Sequence, residues 1–155
     1  MDKYLIKTQS TTQLLNDEPL TTAAPIVLGV LGHSNAQQWT LQTIVDDLCA
    51  PLLGELGRIP EALVVPSDGT TSLLLQAWAE RQKIAVTPLD ADWVRLGRRA
   101  RALRDARILK ECSHLLIFLG KRSDTYEKLA IREAKKGKTV FTVDPETFEI
   151  VQWQV

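Results

Sequence analysis

Cysteine, aromatic side chains and long apolar runs are all scarce in this chain, and each shortage removes a class of protein. The two cysteines, Cys49 and Cys112, lie far apart, each in a mostly helical pattern. They are expected as buried thiols of a reducing compartment rather than as a disulfide. Neither they nor the isolated His33 and His114 have the paired spacing of zinc ligands, so no metal and no cofactor is called for. No stretch nears the roughly 20 apolar residues needed to cross a bilayer. The opening residues, MDKYLIKTQSTTQLLNDEPLTTAAP, lack the ordered basic, apolar and small-residue regions of a secretory signal. A cytoplasmic location without membrane partners is the expectation. Lys and Arg number 19 against 19 Asp and Glu, a balance unsuited to coating nucleic acid through bulk charge. Aromatics make up only 6% of the chain. Trp39, Trp78, Trp93 and Trp153 are scattered and mostly on apolar patterns, which reads as core or interface rather than as stacking platforms for single strands.

A chain of 155 residues can bury one continuous core. Residues 1–25 are rich in Thr, Gln, Asn and Asp and read as an N-terminal extension, mobile or laid across a neighbouring subunit. From residue 26 to 155 the pattern is regular. IVLGVLG (26–32) is a continuous apolar run, as in a strand buried on both faces. ALVV (62–65), IAVTPL (84–89), HLLIFLG (114–120) and KTVFTV (138–143) repeat that mark, and FEIVQW (148–153) is a candidate edge strand. Helical spacing separates them: Leu41 to Leu52, with Pro51 expected to kink or end the helix; Leu74 to Arg81, with Thr70, Thr71 and Ser72 as candidate N-caps. Leu96, Ala100, Leu103, Ala106 and Leu109 form a third apolar stripe, and a helix from about Thr125 to Lys136 is closed by Gly137. This alternation predicts an α/β fold, a single Rossmann-like three-layer domain with an open, mainly parallel sheet.

In such sheets ligands collect beyond the carboxyl ends of the strands. Four segments are brought to that edge: GHS (32–34), PSDGTTS (66–72), DADW (90–93) and GKRSDT (120–125). Three combine glycine with hydroxyl or amide side chains, which lets backbone approach a phosphate or ribose at a helix N-terminus. Gly32, Ser34, Asp68, Gly69, Thr70, Thr71, Asp92, Gly120 and Thr125 are the ligand-binding candidates of these loops. Asp68, Asp90 and Asp92 are acid candidates, although Asp commonly ends strands and starts turns. Neither G-x-G-x-x-G nor GxxxxGK[ST] is present.

RLGRRARALRDARILK (95–110) carries six arginines and a lysine against one acid, Asp105. It reads either as a solvated basic face or as a helix from which one arginine reaches back to clamp a phosphate bidentately. Asp124-Thr125-Tyr126-Glu127 fits a capping box, in which Glu127 bonds back to the N-cap backbone. The other reading makes Glu127 a carboxylate facing a ligand.

QAWAERQKIAVTPLDADWVRLGRRARALRDARILKECSHLLIFLG (76–120) resembles the small Rossmann-like domains of the SLOG superfamily, in particular the YspA-like group. Trp78-Ala79 matches the tryptophan–alanine of that group's second helix. Ala91-Asp92-Trp93 matches its A-D-W motif, and Arg104-Asp105 sits on its R-N. Gly32-His33-Ser34 covers the first glycine–serine–arginine turn, and Pro66 to Ser72 the second, glycine-rich turn, of which only Gly69 remains. Leu119-Gly120-Lys121 replaces proline–glycine–glycine. The superfamily also holds the lonely-guy phosphoribohydrolases and DNA-processing protein A. Against the former, Arg104 and Glu127 fall near the catalytic arginine and glutamate.

Three functions are therefore expected to compete. The first is binding of a nucleotide or nucleotide-derived ligand, sensory or regulatory, with Arg104 neutralising phosphate through a solvent-facing head group. The second is N-glycosidic hydrolysis of a nucleoside monophosphate, with Arg104 and Glu127 catalytic. The third is a nucleic-acid or protein interaction module built on the basic 95–110 helix. An eroded site kept as a subunit scaffold is a fourth. An apolar surface around Trp78 and Trp93, the extension and the habit of the superfamily together suggest a homodimer or higher homo-oligomer.

Overall fold

The continuous apolar runs form neighbouring strands because only a sheet covered on both faces can bury them. In the computed structural model, which describes residues 24–32, 39–120, 124–144 and 146–154, β1 (Val27–Gly32), β2 (Ala62–Pro66), β3 (Ala85–Leu89), β4 (His114–Phe118) and β5 (Thr139–Val143) are parallel. β6 (Ile150–Trp153) closes one edge antiparallel to β5. The sheet order is β3-β2-β1-β4-β5-β6. The chain moves outward from β1 to β3, then returns to place β4 on the other side of β1. Their carboxyl ends, Gly32 and Phe118, are register partners and mark the switch point where such sheets open a crevice. Residues 1–23, which hold nearly all of the proposed extension, lie outside the described residues.

Side chains alternate across the strands with the period of two that a pleated strand imposes. Leu28, Val30, Leu63, Val65, Leu116, Phe118, Phe141 and Val143 face one helical layer and join its Ile44, Leu48, Leu75 and Trp78 in one core. Leu31, Val64, Leu115, Ile117 and Val140 face the other and meet Ile108, Cys112 and Ala130. The first layer is α1 (Leu41–Thr43, Ile44–Cys49 and Ala50–Leu56, continuous) and α2 (Thr70–Arg81). The second holds α4 (Arg99–Glu111) and α5 (Thr125–Lys135), with the short α3 (Trp93–Leu96) before α4. Both cysteines are free and buried. Burial pushes the Cys49 thiol up to about 12 and that of Cys112 to about 11, so neither is a nucleophile at neutral pH.

Two local expectations are corrected. Pro51 does not end α1, because the preceding turn, Ile44–Cys49, is π-helical and leaves Pro51 in the first turn of Ala50–Leu56. The helix ends instead at Gly57, with φ 84°. The third stripe is also rotated. Gly97, with φ 58°, breaks the helix into α3 and α4. The buried line of α4 is then Ala100, Arg104 and Ile108, four apart on one face. Leu103 is 40% exposed, while Arg104 takes an inward place.

Trp78 is fully buried under α2 and supplies no interface surface, contrary to the surface expected around it. Trp39 is also core, and Trp153 is half-buried with its indole N–H donating to Thr142 Oγ1 at 2.8 Å. Among the described residues no helix is long and apolar enough to cross a membrane.

Candidate functional site

The loop after β2 is built by its own sequence. Pro66 ends the strand and the Ser67 N–H donates to Leu89 O at 2.9 Å, binding the loop to β3. Gly69, with φ 95° and ψ 140°, then turns the chain into α2 through a conformation that side chains with Cβ rarely adopt. Gly69 is thus the N-cap, in place of the hydroxyl residues expected there, and among the described residues no side chain caps the helix. The first N–H groups of α2 and the positive end of its dipole are left for another acceptor.

Thr71, in that first turn, is 2% exposed, and its hydroxyl oxygen has no hydrogen-bond partner among the described residues. Thr71 lines a cavity of about 150 Å³ at the switch point, together with Gly32, Asp68, Gly69, Trp93, Arg104 and Phe118. A buried hydroxyl without a partner costs roughly 1–3 kcal/mol, so an orphan in a cavity wall is a place where a polar occupant recovers free energy.

Arg104 is the charge of this cavity. Its side chain is 6% exposed; Nη1 donates to Asp68 Oδ1 at 3.1 Å and Nε to Asp105 Oδ1 at 3.3 Å. A guanidinium carries five N–H donors, and these two bonds leave Nη2 without a partner among the described residues. The solvent-facing head group expected for Arg104 is corrected: the residue sits on the buried stripe of α4 and its charge is held by two carboxylates. Asp105 bears the cost. Burial raises its pKa, while the charge of Arg104, the Arg104 hydrogen bond and the charge of Arg101 pull it down.

Gly32 shapes the floor. Its φ is 108°, and a Cβ there would stand 2.2 Å from Phe118 O, closer than any side chain permits. Only glycine lets the ends of β1 and β4 approach in this way. The Gly32 carbonyl accepts from Arg101 Nη2 at 3.2 Å, and the same nitrogen donates to Tyr126 Oη at 2.8 Å. Arg101 therefore pins β1, α4 and α5 together beside the cavity.

Gly32, Asp68, Gly69, Thr71 and Arg104 thus converge on one cavity from three parts of the chain. Thr125 instead lines a neighbouring cleft between α4 and α5. Thr70, Asp92, Gly120 and Glu127 line neither. Asp92 caps α3, accepting from the Arg95 N–H at 3.1 Å and pairing with its Nε at 3.0 Å. Glu127 is exposed on the first turn of α5, and Asp124 makes no side-chain cap there, so the Asp124 half of the capping box is not formed. Ser34 lies outside the described residues, as do 121–123 of the fourth loop.

Trp93, read from the sequence as core or interface, is a lining residue that was not among the ligand-binding candidates. It is 51% exposed and stands in the cavity wall. Its place in the DADW segment just past β3 was the available signal, since a large apolar residue at that edge has no core to enter.

The chain matches no protein-family model, no curated protein and no solved structure.

Proposed function

We propose that this domain binds a phosphate-bearing, nucleotide-like ligand at the switch point. The phosphoryl group lies at the head of α2 and takes the spare donors of Arg104, with the Thr71 hydroxyl donating to one of its oxygens. The observation that carries this reading is the orphaned Thr71 hydroxyl in the same cavity wall as a buried arginine. An anion there meets an uncapped helix end, a guanidinium and a hydroxyl, each a preferred partner of phosphate. A volume of about 150 Å³ is smaller than the roughly 300–1,000 Å³ of whole-ligand pockets. It suits the phosphoryl end, with sugar and base extending past Trp93, whose exposed ring offers a stacking face.

Membership of the SLOG superfamily belongs to the same proposal and rests on the segments quoted above. Hydrolysis is the weaker reading, because the exposed Glu127 borders neither opening and a carboxylate near the anomeric carbon is what that chemistry requires. A homodimer remains part of the proposal through Trp93 and the fully exposed Val94; sedimentation at tens of micromolar tests it, and a monomer there contradicts it.

The test of ligand class is a thermal-shift panel of purine and pyrimidine mononucleotides on the wild-type chain. A ligand selective for the folded state raises Tm with concentration. A rise with 5′-monophosphates and none with the parent nucleosides is expected; the same rise with both contradicts the phosphate site.

A further inference from the structure

We infer that the cleft between α4 and α5 is a second anion subsite of the same site, so that the preferred ligand is a nucleotide carrying two separated phosphoryl groups. The inference rests on the first subsite being the phosphate cavity proposed above.

The cleft has a volume of about 660 Å³ and shares Arg101 and Asp105 with the first cavity. Sharing two lining residues makes the openings neighbours, close enough for one extended molecule to span. Its rim is cationic: Arg98, Arg101, Lys128 and Arg132. Among the described residues the sole acid lining it, Asp105, is already engaged by Arg104 at 3.3 Å. Other acids discharge this rim poorly. Lys128 meets Asp124 at 3.5 Å with both side chains mostly exposed, a pair of little worth in water. Arg132 shares Glu133 with Lys136 and Lys138, three cations on one carboxylate. Arg98 pairs with no acid among the described residues.

Arg101 is held in place by the Gly32 carbonyl and the Tyr126 hydroxyl, both of which accept from a single nitrogen. Its other N–H donors remain for an anion, and a fixed guanidinium loses less freedom on binding than a mobile one. Leu129 and the Tyr126 ring give the cleft an apolar wall, matching the sugar that links two phosphates. A solvated basic face needs neither an anchored arginine nor an apolar wall.

The experiment is isothermal titration of the four nucleoside 5′-monophosphates, the matching 3′,5′-bisphosphates and a ten-nucleotide single-stranded DNA. Each is titrated into the wild-type chain and the double variant Arg98→Gln, Lys128→Gln. Both positions are exposed, so the fold persists. A bisphosphate is expected to bind about tenfold more tightly than its monophosphate, one charge-assisted contact's worth, and the double variant is expected to bring that ratio to about twofold or less. A wild-type ratio near one, with the monophosphate bound, overturns the second subsite alone. A ratio unchanged in the double variant overturns it as well. Absence of binding by both ligands overturns the phosphate cavity and this inference with it. An oligonucleotide that binds more tightly than any bisphosphate, and weakens in the double variant, replaces it with a nucleic-acid groove.

Discussion

Arg104 Nη1 lies 3.1 Å from Asp68 Oδ1, and this contact joins the two helical layers over the carboxyl edge of the sheet. Arg104 comes from α4 on one face, while Asp68 belongs to the loop that opens α2 on the other. The pair is lopsided: the arginine side chain is 6% exposed and the aspartate 66%. Asp68 can therefore swing into water while Arg104 stays, which on the proposed reading adds Nη1 to the spare donors open to a phosphate. Asp68→Asn removes the competing charge and is expected to tighten monophosphate binding several-fold, about 1 kcal/mol. Calorimetric titration checks this, and weaker binding in the variant shows instead that Asp68 contacts the ligand directly.

Removing the other partner has a different cost. Arg104→Met leaves Asp105, 21% exposed, without its cation, and a broken buried pair costs several kcal/mol. Because Asp68 and Asp105 still reach water in part, the expected loss is about 2 kcal/mol. Adding Asp105→Asn to Arg104→Met removes the orphaned charge and should restore part of the loss. Urea denaturation of the single and double variants measures the coupling, and additive losses contradict it.

At Gly32 the prediction is steric. Alanine there meets Phe118 O and a φ of 108°, so β1 and β4 must part at the switch point. A loss of about 3 kcal/mol or more is expected, seen as a lower urea midpoint. A neutral Gly32→Ala contradicts the close approach.

Glu133 sets the acid limit of α5. It is 1% exposed; burial raises its pKa, but hydrogen bonds from Lys138 and Lys136 and their charges outweigh that and hold it below the ordinary glutamate range. A carboxyl with a depressed folded pKa contributes stability that is present above its unfolded pKa and lost as pH falls through the folded value. Stability should therefore decline below the ordinary glutamate range in the wild type and decline less in Glu133→Gln. Chemical denaturation across acid pH decides, and parallel curves contradict the role.

The strands, their parallel order and the covered sheet were legible because an unbroken apolar run has few other homes. IVLGVLG and HLLIFLG both fall at the centre, as their composition requires. Arg104 was legible as a candidate but not as a buried residue. Counting Leu103 and Ala106 into the stripe of α4 hid the rotation that Gly97 imposes, because both are exposed. The capping role of Gly69 was equally hidden, since three hydroxyl residues after it are better caps by type. That Thr71 lacks a partner among the described residues is a fact of three-dimensional packing and has no trace in sequence.

The central claim turns on that hydroxyl, and Thr71→Val tests it from two sides at once. Valine keeps the shape and removes the orphan, so the ligand-free protein should gain about 1 kcal/mol, a Tm rise of roughly 3 °C. Monophosphate affinity, read by calorimetry on the same samples, should fall about fivefold or more because a hydrogen bond to a charged oxygen is lost. A more stable protein that binds phosphate less well is the predicted result. Unchanged affinity in the variant, or no monophosphate bound by the wild type, contradicts the account.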